Sequence, residues 1–241
     1  MFHMSIYESQ GVTLNNVTIS APDNSPNTDG VHIARSSDIR IINSQIATGD
    51  DCISIGEASS NVNITGVSCG PGHGISIGSL GKNQGERDVS LITVTNCNLT
   101  GTTNGVRIKT FASPVSLTAY DLTFQHITMK NVKNPIIINQ QYCPQGCSKG
   151  DSSVQIKGVK FIDVRGSSVT PDAVKINCSR SKPCQDIEFS GVNLKFKGQP
   201  TTALCSNADC KFLGPPQVPS KCSAPALTLF ENNIYIDDTS M

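Results

Sequence analysis

Apolar residues recur along this chain at a spacing of two, interrupted by a single turn residue. The segment VTLNNVTI, which starts at Val12, has apolar residues at positions one, three, six and eight. The same frame recurs six more times, with starts at Ile39, Val62, Ile92, Leu122, Val154 and Ile187. Asn or Gly often occupies position five. A helix would need a spacing near 3.6, so the frame predicts two short strands joined by a bend.

A further short apolar strand follows most of these segments. These strands are GVHI, CISI, GISI, GVRI, PIII and AVKI, which start at Gly30, Cys52, Gly74, Gly105, Pro135 and Ala173. About three strands in every 25–30 residues or so are typical of a right-handed parallel β-helix. We therefore predict an all-β chain, with a single-stranded right-handed parallel β-helix over residues 1–212 and a C-terminal tail over 213–241. A β-sandwich with regularly spaced strands is the alternative.

The first frame begins near residue 12, and no plausible cap precedes it. A solenoid of stacked coils exposes its ends and needs caps. We therefore expect that the N-terminal coils are missing from this chain.

Charge excludes some classes of partner. The chain of 241 residues has 19 Lys plus Arg and 19 Asp plus Glu, so no global field favours nucleic acid or anionic membranes. No apolar run approaches the ~18 residues of a membrane span. Any anionic ligand must therefore be bound by a local basic patch. We expect a monomer.

The ten cysteines favour disulfides over metal. None forms a CxxC pair, and Cys143 with Cys147 and Cys178 with Cys184 close short loops. Sequence alone cannot pair the group Cys97, Cys205, Cys210 and Cys222, although a Cys97 inside the helix could remain a buried thiol.

Acceptor sequons for N-glycosylation agree with a secreted, extracellular protein. They occur at Asn16, Asn63, Asn98 and Asn177. The N-terminal stretch MFHMSIYESQ has no features of a signal peptide. Secretion therefore implies that this chain is a fragment or a truncated product.

Stacked coils would bring polar residues together that are distant in sequence. The short strands GVHI, CISI, GISI and GVRI are each directly preceded by a polar residue, namely Asp29, Asp51, His73 and Asn104. On stacked coils these four residues should form one ladder. Asp50 lies one residue before Asp51. With Val106 and Ile108 inward, Arg107 and Lys109 should point outward along the same surface.

This cluster indicates acid–base chemistry on an acidic sugar. Three close carboxylates cannot all ionise comfortably, so at least one should keep its proton towards neutral pH. A protonated carboxyl beside ionised ones suits glycoside hydrolysis. Arg and Lys could bind the carboxylate of the sugar. Taken singly, each motif has a plainer explanation: NTDG and the flanks of His73 suit turns, DD suits a solvated turn, and RIK suits an exposed strand face.

The motifs NTDG (27–30), GDD (49–51), GHG (72–74) and RIK (107–109) together resemble those of the polygalacturonases. These are pectin-hydrolysing glycoside hydrolases with a right-handed β-helix. Longer strings such as SPNTDG and TGDDCISIG are similar to plant members. The resemblance runs from about residue 2 to 212 and implies no metal or other cofactor. Plant members are longer at the N-terminus, which again implies missing coils.

The resemblance implies a role for each matching residue. Asp50 matches the general acid, and Asp29 and Asp51 match the carboxylates that position and activate water. His73 matches the histidine that tunes the acid. The residues that match positions binding the galacturonate or shaping the groove are Asn27, Arg107, Lys109 and Tyr142. Cys52 and Cys69 match a family disulfide that would hold the aspartate pair rigid.

The resemblance implies inverting hydrolysis of α-1,4-linked polygalacturonate, with a lean towards attack from chain ends. Neighbouring rungs are about 5 Å apart, which by itself is nearer the spacing of retaining enzymes. A non-catalytic pectin-binding or structural β-helix, inactivated by truncation, is the alternative. A calcium-dependent lyase is a third option, but an Arg base without His suits that reaction better.

Overall fold

The computed structural model describes residues 2–144 and 150–224 of the protein. These residues contain strands and no helix. No helix that could cross a membrane is therefore found within the described ranges. In chain order the strands are β1 (Met4–Tyr7), β2 (Thr13–Asn15), β3 (Thr18–Ser20), β4 (Val31–Ala34), β5 (Ser37–Ile42), β6 (Gln45–Ala47), β7 (Ile53–Ile55), β8 (Ser60–Thr65), β9 (Ser68–Cys69), β10 (Ile75–Leu80), β11 (Val89–Thr95), β12 (Asn98–Thr100), β13 (Asn104–Phe111), β14 (Thr118–Val132), β15 (Asn134–Tyr142), β16 (Gln155–Ser168), β17 (Asp172–Asn177), β18 (Cys184–Ser190), β19 (Asn193–Phe196), β20 (Gln199–Pro200), β21 (Thr202–Ser206), β22 (Ala208–Leu213) and β23 (Cys222–Ser223).

The strands wind into a parallel β-helix, which confirms the predicted fold. One sheet has nine strands in the order β1-β4-β7-β10-β13-β15-β17-β21-β23. The other has fourteen strands, and its main path runs from β2 through β14 to β3. The pairs are parallel, except that β19 pairs with β20 in the antiparallel sense. Each coil therefore contributes to both sheets and stacks on the coil before it.

The core fills the inside of the coils. In the nine-stranded sheet, inward isoleucines stack in register and are fully buried: Ile33, Ile55, Ile77, Ile108 and Ile138. Under the other sheet, four phenylalanine rings stack with centroids 5.3, 5.2 and 4.7 Å apart: Phe124, Phe161, Phe189 and Phe212. Such ladders place like residues of successive coils at the strand spacing of about 4.8 Å.

Residues in the left-handed backbone conformation form the bends of the fourteen-stranded sheet. The residue at position five of each frame has a positive φ, between 48° at Asn43 and 69° at Gly66. Asn, Asp and Gly tolerate this conformation better than other residues. The predicted bend at position five is therefore explained by backbone conformation.

The frame predicted from Val154 is in the wrong register. Leu122 pairs with Val159, and Val159 pairs with Ile187, so the unit begins five residues later than predicted. Its position five is Asp163, with φ 52°, whereas Gly158, with φ 63°, belongs to the preceding bend. Each coil has two such bends, and a glycine satisfies either of them, which is why the sequence pattern fitted the wrong one.

Strands of the β-helix lie before the first repeated frame and also after residue 212, where the predicted helix domain ends. Strand β1 pairs with β4, so the nine-stranded sheet begins before residue 12. Strand β23 pairs with β21, so this sheet continues to Ser223, past the predicted end at 212. Residues 225–241 of the predicted tail lie outside the described residues.

Candidate active site

The nine-stranded sheet carries two rows of polar residues on its outer face. Val31, Ile53, Ile75 and Val106 pair in register, so residues at equal distances from them stack. The first row lies two residues before these positions and contains Asp29, Asp51, His73 and Asn104. The second row lies one residue after them and contains His32, Ser54, Ser76 and Arg107. Coil stacking thus brings all of the predicted motifs to one wall.

Asp51 lies at the centre of this wall and is fully buried. Its Oδ1 accepts hydrogen bonds from Ser76 Oγ at 2.7 Å and Arg107 Nη2 at 2.9 Å. Its Oδ2 accepts one from Lys109 Nζ at 2.8 Å. Burial by itself raises the pKa of Asp51, but the charges of Lys109 and Arg107 outweigh it and lower the pKa to about 2. Asp51 is therefore a firmly ionised anchor.

Arg107 and Lys109 do point away from the coil interior, but they are not an exposed basic strip. They are only 3% and 6% exposed. Both bind Asp51, and Arg107 Nε also donates to Ser76 Oγ at 2.9 Å. A charge buried without a partner is costly, so a cation row inside this wall requires a carboxylate beside it.

Asp29 is also buried, but it has a different environment. Its Oδ2 accepts a hydrogen bond from Ser54 Oγ at 2.6 Å. Among the described residues, no cation lies within ion-pair distance of its carboxylate. Burial, followed by the negative charge of Asp51, raises the pKa of Asp29 to about 6. The prediction that one carboxyl keeps its proton towards neutral pH thus applies to Asp29.

Asp50 is the most exposed of the three carboxylates. Its side chain is 20% exposed, compared with 1% for Asp51. Oδ1 of Asp50 lies 3.1 Å from His73 Nδ1 and accepts a hydrogen bond from the backbone N–H of Asp51 at 2.8 Å. The hydrogen bond to Asp50 is the main cause that raises the pKa of His73. Asp50 and His73 therefore form a partly exposed pair on this wall.

Glycines allow the coils to meet closely around His73. Gly74 has φ 87°, and a Cβ there would lie 2.1 Å from the carbonyl oxygen of Asn104. Gly72 has φ 139°, and a Cβ there would lie 2.7 Å from the carbonyl oxygen of Asp50. The two glycines therefore let the coil of His73 pack closely on the coil of Asp50 at Gly72 and on the coil of Asn104 at Gly74, where a Cβ would clash.

Tyr142 and Asn27 lie at the border of the same wall. The Tyr142 ring has Lys109 Nζ 5.1 Å and Arg107 Cζ 5.9 Å from its centroid, and it packs edge-on against Phe111. Cation–π geometry of this kind orients both cations. Asn27, with φ 53°, lies in the turn before Asp29.

His32, Ser54 and Ser76 are site residues that the motifs did not reveal. His32 Nδ1 lies 2.8 Å from Ser54 Oγ, and the Phe2 ring stacks on the imidazole with centroids 4.2 Å apart. The signal was present in the short strands GVHI, CISI, GISI and GVRI, where the third residue is polar each time. Outward positions of a parallel strand that stay polar across coils therefore indicate a site.

The disulfides agree with two of the three predicted pairs. Cys52–Cys69 and Cys178–Cys184 are formed. The predicted Cys143–Cys147 pair includes Cys147, which lies outside the described residues. A further bridge joins Cys205 to Cys222, and their sulfur atoms and that of the free Cys210 lie within 4.8 Å of one another.

Cys97 is a buried free thiol, as the sequence suggested. Burial raises its pKa to about 11. It therefore packs as a small apolar side chain.

Comparisons with known proteins agree with this geometry. The family described as glycosyl hydrolases family 28 matches residues 1–222. A polygalacturonase from Medicago sativa is 46% identical over 228 residues, which cover 93% of this chain and 54% of that relative. An exopolygalacturonase from Platanus acerifolia is 48% identical over 228 residues, which cover 92% of this chain and 60% of that relative.

A solved structure has the same fold. The polygalacturonase from Erwinia carotovora ssp. carotovora is 30% identical and superposes with a TM-score of 0.66, over 87% of this chain and 54% of that one. The chain thus spans 54–60% of the length of the first two relatives above. Because the family match extends over nearly all of the described residues, the protein belongs to the glycosyl hydrolases family 28.

Proposed function

We propose that this chain carries the catalytic wall of a polygalacturonase, which hydrolyses the α-1,4 bonds of polygalacturonate by inverting acid–base catalysis. The observation that carries the proposal is one wall on which three aspartates with different environments lie beside two buried cations. The family membership and the polygalacturonases among its relatives support the choice of substrate. Water and the anionic polysaccharide are then the reactants, and no cofactor takes part.

Asp50 is the general acid in this proposal. It is the most exposed of the three carboxyls, so it can reach the oxygen of the bond that breaks. His73 binds its Oδ1 at 3.1 Å and fixes its orientation. In the reaction Asp50 donates its proton to the leaving oxygen as the glycosidic bond opens.

Asp29 is the base that takes the proton from the attacking water. A carboxyl with a pKa near 6 is a much better base than Asp51, whose pKa is about 2. The resemblance assigned Asp29 and Asp51 jointly to the water. The environments favour a division, in which Asp29 accepts the proton and Asp51 holds the two cations in place.

Arg107 and Lys109 bind the carboxylate of the galacturonate next to the cleaved bond. The guanidinium has five N–H donors in a planar fork, so pairing with Asp51 and binding a sugar carboxylate are compatible. Tyr142 shapes this side of the groove, and Asn27 borders the same sugar. These contacts would select a uronate over a neutral sugar.

The burial of Asp51 also favours inversion. Carboxylates on neighbouring rungs, about 4.8 Å apart, have the spacing of retaining enzymes. Retention requires one carboxylate to attack the sugar. Asp51 is fully buried and both of its oxygens are occupied by hydrogen bonds, so it cannot be that nucleophile. With Asp51 excluded, we assign Asp29 to activate a water rather than to attack the sugar itself, as the family resemblance implies, and this route releases a β-configured sugar.

We propose attack from chain ends rather than inside the polymer. The support is the identity of 48% to an exopolygalacturonase. Sizing the products over time tests this mode. Galacturonate monomers from the first minutes support it, and an early ladder of oligomers contradicts it.

Secretion to the cell wall is the localisation we propose. The disulfides Cys52–Cys69, Cys178–Cys184 and Cys205–Cys222 suit an oxidising compartment. The sequon residues Asn16, Asn63 and Asn98 are exposed. Protein from a secreting plant host should therefore shift on a gel after endoglycosidase treatment, and an unshifted band would contradict glycosylation.

The central experiment measures new reducing ends with polygalacturonate as substrate. We expect the chain to release them, and Asp50→Asn should abolish the release while binding persists. Asp163→Asn, on the other sheet, is the matched control and should keep full activity. A chain that binds the polymer without cutting it would establish the non-catalytic alternative, and unsaturated ends that absorb in the near ultraviolet would indicate a lyase.

A further inference from the structure

Asp29 is linked to His32 through one serine. Ser54 Oγ donates a hydrogen bond to Asp29 Oδ2 at 2.6 Å and lies 2.8 Å from His32 Nδ1. The link follows from the coil register, because His32 and Ser54 are directly paired on β4 and β7. None of the roles derived above uses His32.

The groups at the two ends of this hydrogen-bonded series, Asp29 and His32, determine the direction of its hydrogen bonds. An ionised carboxylate only accepts, so Ser54 must give it the single hydroxyl proton. The oxygen of Ser54 can then only accept from the imidazole. His32 must therefore carry a proton on Nδ1 whenever Asp29 is ionised. That donor is present in neutral His32 of this tautomer and equally in the protonated ring.

The charged groups around Asp29 and His32 do not replace the hydrogen bonds through Ser54. Asp51 and Asp50 repel a negative charge on Asp29, and Lys109 is the attractive charge that faces it. His3 Nδ1 lies 3.1 Å from the backbone oxygen of Asp29. Around His32, burial lowers the pKa first, and the charges that act on it are Asp51 and Lys109. The carboxylate of Asp29 thus has one hydroxyl donor, Ser54, whereas that of Asp51 has a hydroxyl and two bound cations.

We propose that His32 is a positioning residue that, by donating to Ser54, turns the Ser54 hydroxyl onto Asp29 and holds that carboxyl in its ionised form. This inference rests on the proposed function, in which Asp29 is the base. Asp29 must be ionised to accept the proton of the attacking water. His32 therefore sets how far into acidic conditions the enzyme works, although it does not touch the substrate.

Titration of the Asp29 carboxyl by carbon-detected NMR tests the inference without any requirement for activity. His32→Phe keeps an aromatic ring beside Phe2 and removes the Nδ1 donor. We expect the titration midpoint of Asp29 to move to higher pH by about one pH unit, because hydrogen bonds to a carboxylate favour its charged form. His32→Asn, whose amide nitrogen can take the place of Nδ1, should restore much of the wild-type midpoint. His126→Phe, outside the site, is the matched control and should change nothing.

The dependence of kcat/KM on pH gives the second readout. In His32→Phe the acidic limb of the profile should shift to higher pH. Activity at pH 5 therefore falls about ten-fold, while the plateau at higher pH is kept. Ser54→Ala should move the limb in the same direction. The double variant should equal Ser54→Ala alone, because His32 acts through that serine.

A uniform loss at every pH, an Asp29 midpoint that does not move, or additive effects of the two substitutions would each overturn the proposal. If the wild type does not cut polygalacturonate, the proposed function fails. The Asp29 titration still decides the role of His32 in that case.

Discussion

Asp29 and Asp51 occupy the same place on neighbouring coils, and yet their pKa values are shifted in opposite directions. Both are buried, at 8% and 0% exposure. Asp51 has two cations and one hydroxyl bound to its oxygens. Asp29 has one hydroxyl. Because the partners differ, the pKa values are about 2 and about 6. The comparison teaches that partners, rather than depth of burial, decide which carboxyl can act as a base here.

Removing a cation from Asp51 should have the largest effect on stability. Arg107→Met leaves Asp51 buried with Lys109 and Ser76 only. We expect a loss of about 3 kcal/mol in the free energy of unfolding, because breaking a buried ion pair leaves a charge without compensation. Loss of activity should accompany it. Urea denaturation at pH 7 measures the change.

Arg165→Met is the control for this substitution. Arg165 also pairs with an aspartate, Asp163, but its side chain is 61% exposed. The cost should stay between about 0 and 1 kcal/mol, as for other exposed pairs. Equal losses in the two variants would show that the buried ion pairs of Asp51 stabilise the protein no more than an exposed ion pair does.

The raised pKa of Asp29 should make the free energy of unfolding depend on pH. The ordinary pKa of an aspartate is 3.8, and folding raises that of Asp29 to about 6. The folded state therefore holds this proton more tightly. The stability that this provides is complete below pH 3.8 and is lost as the pH rises through 6, by up to about 3 kcal/mol.

Asp29→Asn cannot ionise, so it should lack this loss. Between pH 4 and pH 7 we expect the variant to gain about 1–3 kcal/mol relative to the wild type. Denaturation curves at the two pH values give the difference. Parallel behaviour of the two proteins would mean that Asp29 ionises freely in the folded state.

Ser76→Ala should produce the smallest of these changes. It removes one of three hydrogen bonds to Asp51 and leaves both cations in place. We expect a loss of about 1 kcal/mol, since the cations keep the carboxylate satisfied. Ser167→Ala, whose hydroxyl bonds Asn131 near the surface, is the reference. If Ser76→Ala costs as much as Arg107→Met, the hydroxyl and not the cations stabilises Asp51.

Much of the fold and the composition of the site followed from the sequence. The register of the short strands was correct for all six, because inward isoleucines and valines repeat at one position per coil. The frame at Val154 failed, since Gly158 fits either bend of a coil. The sequence could not predict the burial of Arg107 and Lys109, which depends on hydrogen bonds to a residue more than 50 positions away.

The division of labour between Asp29 and Asp51 was equally hidden. By sequence both are aspartates before a short apolar strand. Their difference comes from the outward residues of the neighbouring strands, which are His32 and Ser54 near Asp29 and Ser76, Arg107 and Lys109 near Asp51. Only the stacking of coils connects these positions.

Site-specific titration of both carboxyls tests this account most directly. Aspartate labelled with carbon-13 at the carboxyl, assigned through Asp29→Asn and Asp51→Asn, gives each midpoint in the intact protein. We predict that Asp29 titrates near pH 6, while Asp51 stays ionised to the lowest pH at which the protein remains folded. Midpoints that coincide near pH 4 would contradict the account, because the two rungs would then be chemically alike.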